Sequence, residues 1–217
     1  MDKFEILKHT DHTNLAPTAK WEDIKALIDE GIEYGVASVC IAPSYVKKAS
    51  EYAGGRIRIC TVIGFPNGYS STATKVFEAE DAINNGADEI DMVINLGWVK
   101  DKAFDLLCEE ISAIRKATEG RVLKVIVETG LLSDEEKVIL CDIVGKCGAD
   151  YIKTSTGFLS GGATAEDVEI FAKNKTGDLK IKASGGIATI KDAETFLALG
   201  ADRLGTSKLV RLIKEEF

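Results

Sequence analysis

The sequence predicts an α/β chain closed into an eight-stranded parallel (β/α)8 barrel, the TIM-barrel architecture, as a single domain over residues 1–217. A repeated unit is the first observation behind this. GADEIDMVIN (86–95), GADYIKTST (148–156) and GADRLGTS (200–207) each place Gly-Ala-Asp after a helical stretch and before a short apolar strand, and YGVASVCIA (34–42) is a looser copy. Glycine there suits a helix C-terminus, and the apolar run suits a parallel strand buried on both faces. The second observation is strict alternation: eight strands and eight helical segments imply a parallel sheet with right-handed crossovers, and eight units favour closure. The third is that no GxGxxG turn follows the first strand, which disfavours an open, doubly wound sheet.

Taken in order, the strands fall near 6–11, 36–42, 57–63, 89–94, 122–128, 150–154, 180–184 and 202–205. Helix starts are marked by Ser133 with Glu136, Thr164 with Asp167 and Thr189 with Asp192, each spaced as a capping box. Phe104, Leu107, Cys108, Ile111 and Ile114 recur at helical spacing and give that segment one apolar face. Three prolines and no low-complexity stretch leave no visible linker.

Composition narrows the function. A net charge of -8 opposes binding to nucleic acid or to an anionic membrane, although a local anion site is compatible with it. No apolar run reaches the roughly 20 residues of a membrane span, and the N-terminus lacks a signal-peptide pattern, so a cytoplasmic location is expected. The five cysteines are odd in number and form no CxxC pair, which suits reduced, buried thiols. With only His9 and His12 as histidines, a His/Cys zinc site has little support, and no metal is expected.

Alternation along the strands then identifies what faces the barrel interior. If Ile90, Met92 and Ile94 pack on helices, Asp91, Val93 and Asn95 face inward; likewise Lys124, Ile126 and Glu128 face inward, as do Lys153 and Lys182. Lys180 shares the face of Lys182 and must emerge at the barrel bottom. Any one of these residues is equally a member of a structural ion-pair network, and a lone strand-end lysine usually snorkels to solvent. As a cluster at strand ends they point to chemistry. At about 4 Å and an effective dielectric near 20, two ammonium groups repel by roughly 4 kcal/mol. That is enough to lower one amine's pKa by roughly three and leave it neutral, a nucleophile able to form a Schiff base with a carbonyl. A carboxylate such as Asp91 then moves the protons.

Three strand-end loops, Thr154–Gly157, Ser184–Gly186 and Gly205–Ser207, are rich in glycine and hydroxyls. Each alone is a tight turn. Together, with two of them following the seventh and eighth strands, they suit a phosphorylated substrate held by backbone N–H groups.

KTSTGF, KASGGI, EIDMVIN and TDHTNL jointly resemble the deoxyribose-phosphate aldolase family, over essentially the whole chain. The resemblance implies a class I aldolase that reversibly cleaves 2-deoxy-D-ribose 5-phosphate to acetaldehyde and D-glyceraldehyde 3-phosphate without a metal or cofactor. It makes Lys153 the Schiff-base lysine, Lys182 its charged partner and Asp91 the proton shuttle. Asp11, Thr13, Lys124 and Thr156 are expected around the substrate, with Lys124 also supporting the ion network. Gly157, Ser184, Gly185, Gly186, Gly205, Thr206 and Ser207 are expected at the phosphate. Phe158 stands where some members carry a phosphate-reaching lysine. A homodimer is expected at the level of the family. The competing readings are another Schiff-base aldolase, a phosphosugar isomerase with Glu128 as its base, and a non-catalytic barrel that binds a sugar phosphate.

Overall fold

A computed structural model describes residues 2–159 and 161–215. Eight parallel strands close in sequence order into a barrel: β1 (Thr10–Asn14), β2 (Ser38–Ile41), β3 (Ile59–Ile63), β4 (Glu89–Val93), β5 (Val122–Ile126), β6 (Tyr151–Lys153), β7 (Lys180–Ser184) and β8 (Arg203–Thr206). The helices among the described residues are α1 (Lys3–Lys8), α2 (Trp21–Tyr34), α3 (Val46–Ala53), α4 (Thr72–Asn84), α5 (Leu96–Lys100), α6 (Phe104–Ala117), α7 (Asp134–Lys146), α8 (Ala165–Asn174), α9 (Ile190–Ala198) and α10 (Leu209–Lys214). None of them is long and apolar enough to cross a membrane.

The main core lies between sheet and helices. Ile90, Met92, Leu123, Val125, Ile152, Ile181 and Leu204 point outward from their strands and pack on Leu107, Ile111, Leu140, Val168 and Phe171 of the helices. A small apolar group of Cys40, Cys60 and Val62 lies apart from it, inside the barrel. The expected caps are present. Ser133, Thr164 and Thr189 each accept the backbone N–H three residues on, and Glu136, Asp167 and Asp192 return the bond.

Three expectations are corrected. Residues 6–8, expected to begin the first strand, belong to helix α1 (Lys3–Lys8), and the strand runs from Thr10 to Asn14. Short apolar runs do not distinguish strand from helix; here Ile6 and Leu7 are both buried on a helical turn, and Thr10 Oγ1 donates to the Ile6 carbonyl. Not all cysteines are thiols: Cys108 on α6 and Cys147 at the end of α7 form a disulfide, because neighbouring helices bring their Cα atoms to 5.7 Å. Cys40, Cys60 and Cys141 remain free and buried. Finally, Asn95 does not line the interior but caps α5, its side chain accepting from the Gly97 N–H.

Candidate active site

Register sets the site. Asp91 stands opposite Lys124, Ile126 opposite Lys153, Lys153 opposite Lys182, and Lys182 opposite Arg203, so neighbouring strands deliver charged side chains into one closed space. Asp91 is fully buried at its centre. Its Oδ2 accepts from both Lys153 Nζ and Lys182 Nζ, each at 2.7 Å, and its Oδ1 accepts from Lys124 Nζ at 2.8 Å. The two nitrogens on Oδ2 are therefore separated by no more than twice 2.7 Å.

Around this centre the ions interlock. Lys182 also donates to Asp11. Asp11 accepts from Ser38 Oγ at 2.7 Å and from Arg203 Nη1 at 2.5 Å. Lys124 pairs with Glu89 at 2.5 Å, and Arg203 reaches Glu89 at 3.2 Å. Burial opposes the charge on Asp91, but Lys124, Lys153 and Lys182 outweigh it and hold the carboxyl well below the usual range. Burial opposes charge on Asp11 as well, and Lys182, Lys124 and Arg203 outweigh it in the same direction. Burial likewise disfavours the Lys182 ammonium, yet Asp11 and Asp91 raise its pKa strongly. Lys124 is raised too, chiefly by Asp91 against burial.

This revises the expectation of two bare ammonium groups facing each other. Asp91 sits between them, and Lys182 is the amine that keeps its proton. The interior set comprises four cations (Lys124, Lys153, Lys182, Arg203) and three carboxylates (Asp11, Glu89, Asp91). Lys182 and Arg203 each hold two carboxylates and Lys124 contacts all three, whereas Lys153 has one shared oxygen.

Above the network opens a cavity of about 540 Å³ at the carboxyl ends of the strands. Lys153 is on its wall, with Thr13, Thr156, Gly157, Phe158, Ser184, Gly185, Gly186, Gly205, Thr206 and Ser207. Asp11 and Lys124, expected to touch substrate, do not line it; they lie beneath, committed to the ion network. Asp91 too is below the wall, within reach of the Lys153 amine.

The loop after Lys153 is tied on both sides. Thr154 Oγ1 and Ser184 exchange two bonds, donated by Thr154 Oγ1 to the Ser184 carbonyl at 3.1 Å and by the Ser184 N–H to Thr154 Oγ1 at 3.0 Å. The Thr156 N–H donates to Glu128 Oε2 at 3.0 Å. Glu128 is fully buried and adopts the left-handed backbone region, φ 56 and ψ 66, a conformation costing of order 1–3 kcal/mol for a side chain of this kind. It is therefore outside the cavity wall and engaged by a backbone donor, which is a poor setting for the isomerase base it was weighed as. Gly162 and Gly185 lie backbone to backbone, and a Cβ on Gly162 would fall 2.3 Å from the Gly185 carbonyl carbon.

Sequence reading missed Glu89, Arg203, Cys60 and Lys208. Glu89 shares the strand face of Asp91, and Arg203 that of Gly205, so the same alternation would have found both. Cys60 Sγ lies 3.2 Å from Asp91 Oδ1. Cys40, Cys60 and Asp91 could geometrically converge on a metal ion, but the Asp91 oxygens are occupied by three ammonium groups.

A family model described as DeoC/LacD family aldolase matches residues 5–206. The chain belongs to the DeoC/LacD aldolase family. This aldolase is 58% identical over 216 residues to a deoxyribose-phosphate aldolase of Streptococcus pyogenes, covering 100% of this chain and 97% of that one. Among solved structures, it is similar to the tetrameric deoxyribose phosphate aldolase of Aeropyrum pernix (TM-score 0.91, 33% identity, 99% of this chain and 92% of that one). It is also similar to the aldolase QR15 (TM-score 0.93, 39% identity, 98% and 96%). As an aldolase it is a carbon–carbon lyase, and these likenesses extend over the barrel that carries the lysine cluster.

Proposed function

We propose that this aldolase reversibly cleaves 2-deoxy-D-ribose 5-phosphate to acetaldehyde and D-glyceraldehyde 3-phosphate through a Schiff base on Lys153. The carrying observation is the placement of Lys153 between the cavity and an Asp91 oxygen that it shares with charged Lys182. The named activity of the Streptococcus relative supports the substrate.

In this reading Lys153 is the reacting lysine because it holds the smallest share of carboxylate, one Asp91 oxygen, and faces the cavity. Its amine attacks the aldehyde carbon of the open-chain sugar, and the carbinolamine loses water to give a protonated imine. A base takes the proton of the C3 hydroxyl. The C2–C3 bond then breaks, its electrons pass to C2 as an enamine, and glyceraldehyde 3-phosphate leaves. C2 takes a proton, and water hydrolyses the imine to acetaldehyde and the free amine. Asp91, ionised and 2.7 Å from the reacting nitrogen, relays these protons, while Lys182 fixes and polarises it. Backbone and hydroxyl donors of Gly157, Ser184 to Gly186 and Gly205 to Ser207 receive the phosphate, and Thr13 and Thr156 border the sugar.

A phosphorylated sugar does not cross membranes unaided, which supports a cytoplasmic location. Self-association belongs to the same proposal: Phe77 on α4 and Leu106 on the adjoining α6 are exposed apolar side chains suited to a homodimer contact. The deciding experiment is incubation with acetaldehyde and borohydride followed by peptide mapping. A reduced adduct on Lys153 is the expected result; its absence removes the Schiff-base reading and leaves the isomerase or a non-catalytic binder.

A further inference from the structure

A phosphate dianion entering a chain of net charge -8 meets an unfavourable mean field, so its site needs a local cation. Position 158 supplies none: Phe158 turns its ring edge-on to Phe65, with centroids 5.2 Å apart. Among the described residues lining the cavity there is no carboxylate, and the charged side chains are Lys153 and Lys208. Lys153 is used in the imine, which leaves Lys208.

Its backbone is well anchored. The Lys208 N–H donates to Thr206 Oγ1 at 3.1 Å, and that hydroxyl donates to the Ile187 carbonyl at 3.1 Å. The residue is thereby tied to the segment that carries Gly185 and Gly186, the neutral donors on the same wall. Its side chain is exposed and has no ion pair or hydrogen bond among the described residues, unlike Lys124, Lys137 and Lys182, whose ammonium groups are all held by carboxylates. A flexible four-carbon stem with three donors at its tip can swing over a phosphate resting on those glycines.

We propose that Lys208 is the specificity-determining cation for the phosphate group of the substrate. It rests on the aldolase reading for the identity of the sugar, but not for the anion it binds. Lys208 selects phosphorylated over unphosphorylated sugars by adding one charge-assisted hydrogen bond to the neutral donors, and so acts on substrate affinity.

The test uses the full chain and its Lys208→Ala and Lys208→Arg variants, which fold because the side chain is exposed. Calorimetric titration with inorganic phosphate is combined with kcat/KM for 2-deoxy-D-ribose 5-phosphate and for 2-deoxy-D-ribose. Lys208→Ala is expected to weaken phosphate binding about tenfold and to lower the ratio of the two kcat/KM values about tenfold, mainly through KM. Lys208→Arg is expected to restore most of both. Phosphate affinity and substrate ratio equal to those of the parent protein overturn the proposal. If the parent protein traps no acetaldehyde on Lys153, the aldolase reading alone falls, and the calorimetry still decides Lys208.

Discussion

Replacing Lys182 by leucine removes the positive charge that shares an Asp91 oxygen with the reacting amine, while roughly keeping its volume. In the structure, Lys182 and Lys153 nitrogens share one Asp91 oxygen at 2.7 Å each. At the largest separation this geometry permits and an effective dielectric near 20, the two charges repel by roughly 3 kcal/mol. Without Lys182 the interior holds three cations against three carboxylates, and that repulsion is gone. The pH at which acetaldehyde–borohydride trapping is half-maximal should therefore rise by about two pH units, and cleavage near pH 7 should fall about a hundredfold. The substitution also strips Asp11 and Asp91 of a shared partner, costing about 3–5 kcal/mol of stability, so folding is checked by circular dichroism at low temperature. A folded variant with the parent's trapping midpoint would refute the electrostatic reasoning.

Three further outcomes follow from features outside the cavity. Lys75 and Glu110 form a fully buried pair at 2.8 Å, so Lys75→Met, which strands the carboxylate, should lower urea-measured stability by about 3–5 kcal/mol; adding Glu110→Gln should recover part of it. The Cys108–Cys147 link closes a 39-residue separation, and the Cys108→Ser/Cys147→Ser double variant should lose up to about 4 kcal/mol of stability. Thiol titration of the denatured, unreduced protein should find three free thiols of the five cysteines. Acid sensitivity has a definite sign: Asp11 and Asp91 have depressed pKa values, so their stabilisation is complete above the ordinary aspartate value of 3.8 and is lost as pH falls through the lower folded values. Stability should drop on acidification below about pH 4 and drop less in Asp11→Asn, a comparison made by thermal melts.

Much of the barrel is written in local pattern. The Gly-Ala-Asp units and the two-residue period of EIDMVIN, LKVIVE and LKIKAS give the strands, their inward faces and the meeting of Asp91, Lys124, Lys153 and Lys182. Applied two residues earlier, that period also yields Glu89. It stops at Glu128, where a left-handed backbone ends the alternation, and nothing in ETG announces that turn. The Cys108–Cys147 pairing depends on how two helices pack around the barrel, information that spacing along the chain does not carry. Helix α1 was hidden because its two buried apolar residues, Ile6 and Leu7, are consecutive, compatible with either period. Lys208 was overlooked for a different reason: its importance comes from its being, with Lys153, one of the two charged side chains on the cavity wall among the described residues, which is visible only in three dimensions.

The close approach of Gly162 and Gly185 constrains how this protein can be reshaped. At their meeting point there is no room for even a methyl group, so a side chain at either position forces the two backbones apart. Redesign toward longer or uncharged aldehydes has nothing to gain at either glycine. Phe158 and Ala188, whose exposed side chains border the same opening, are the places where the entrance can be widened.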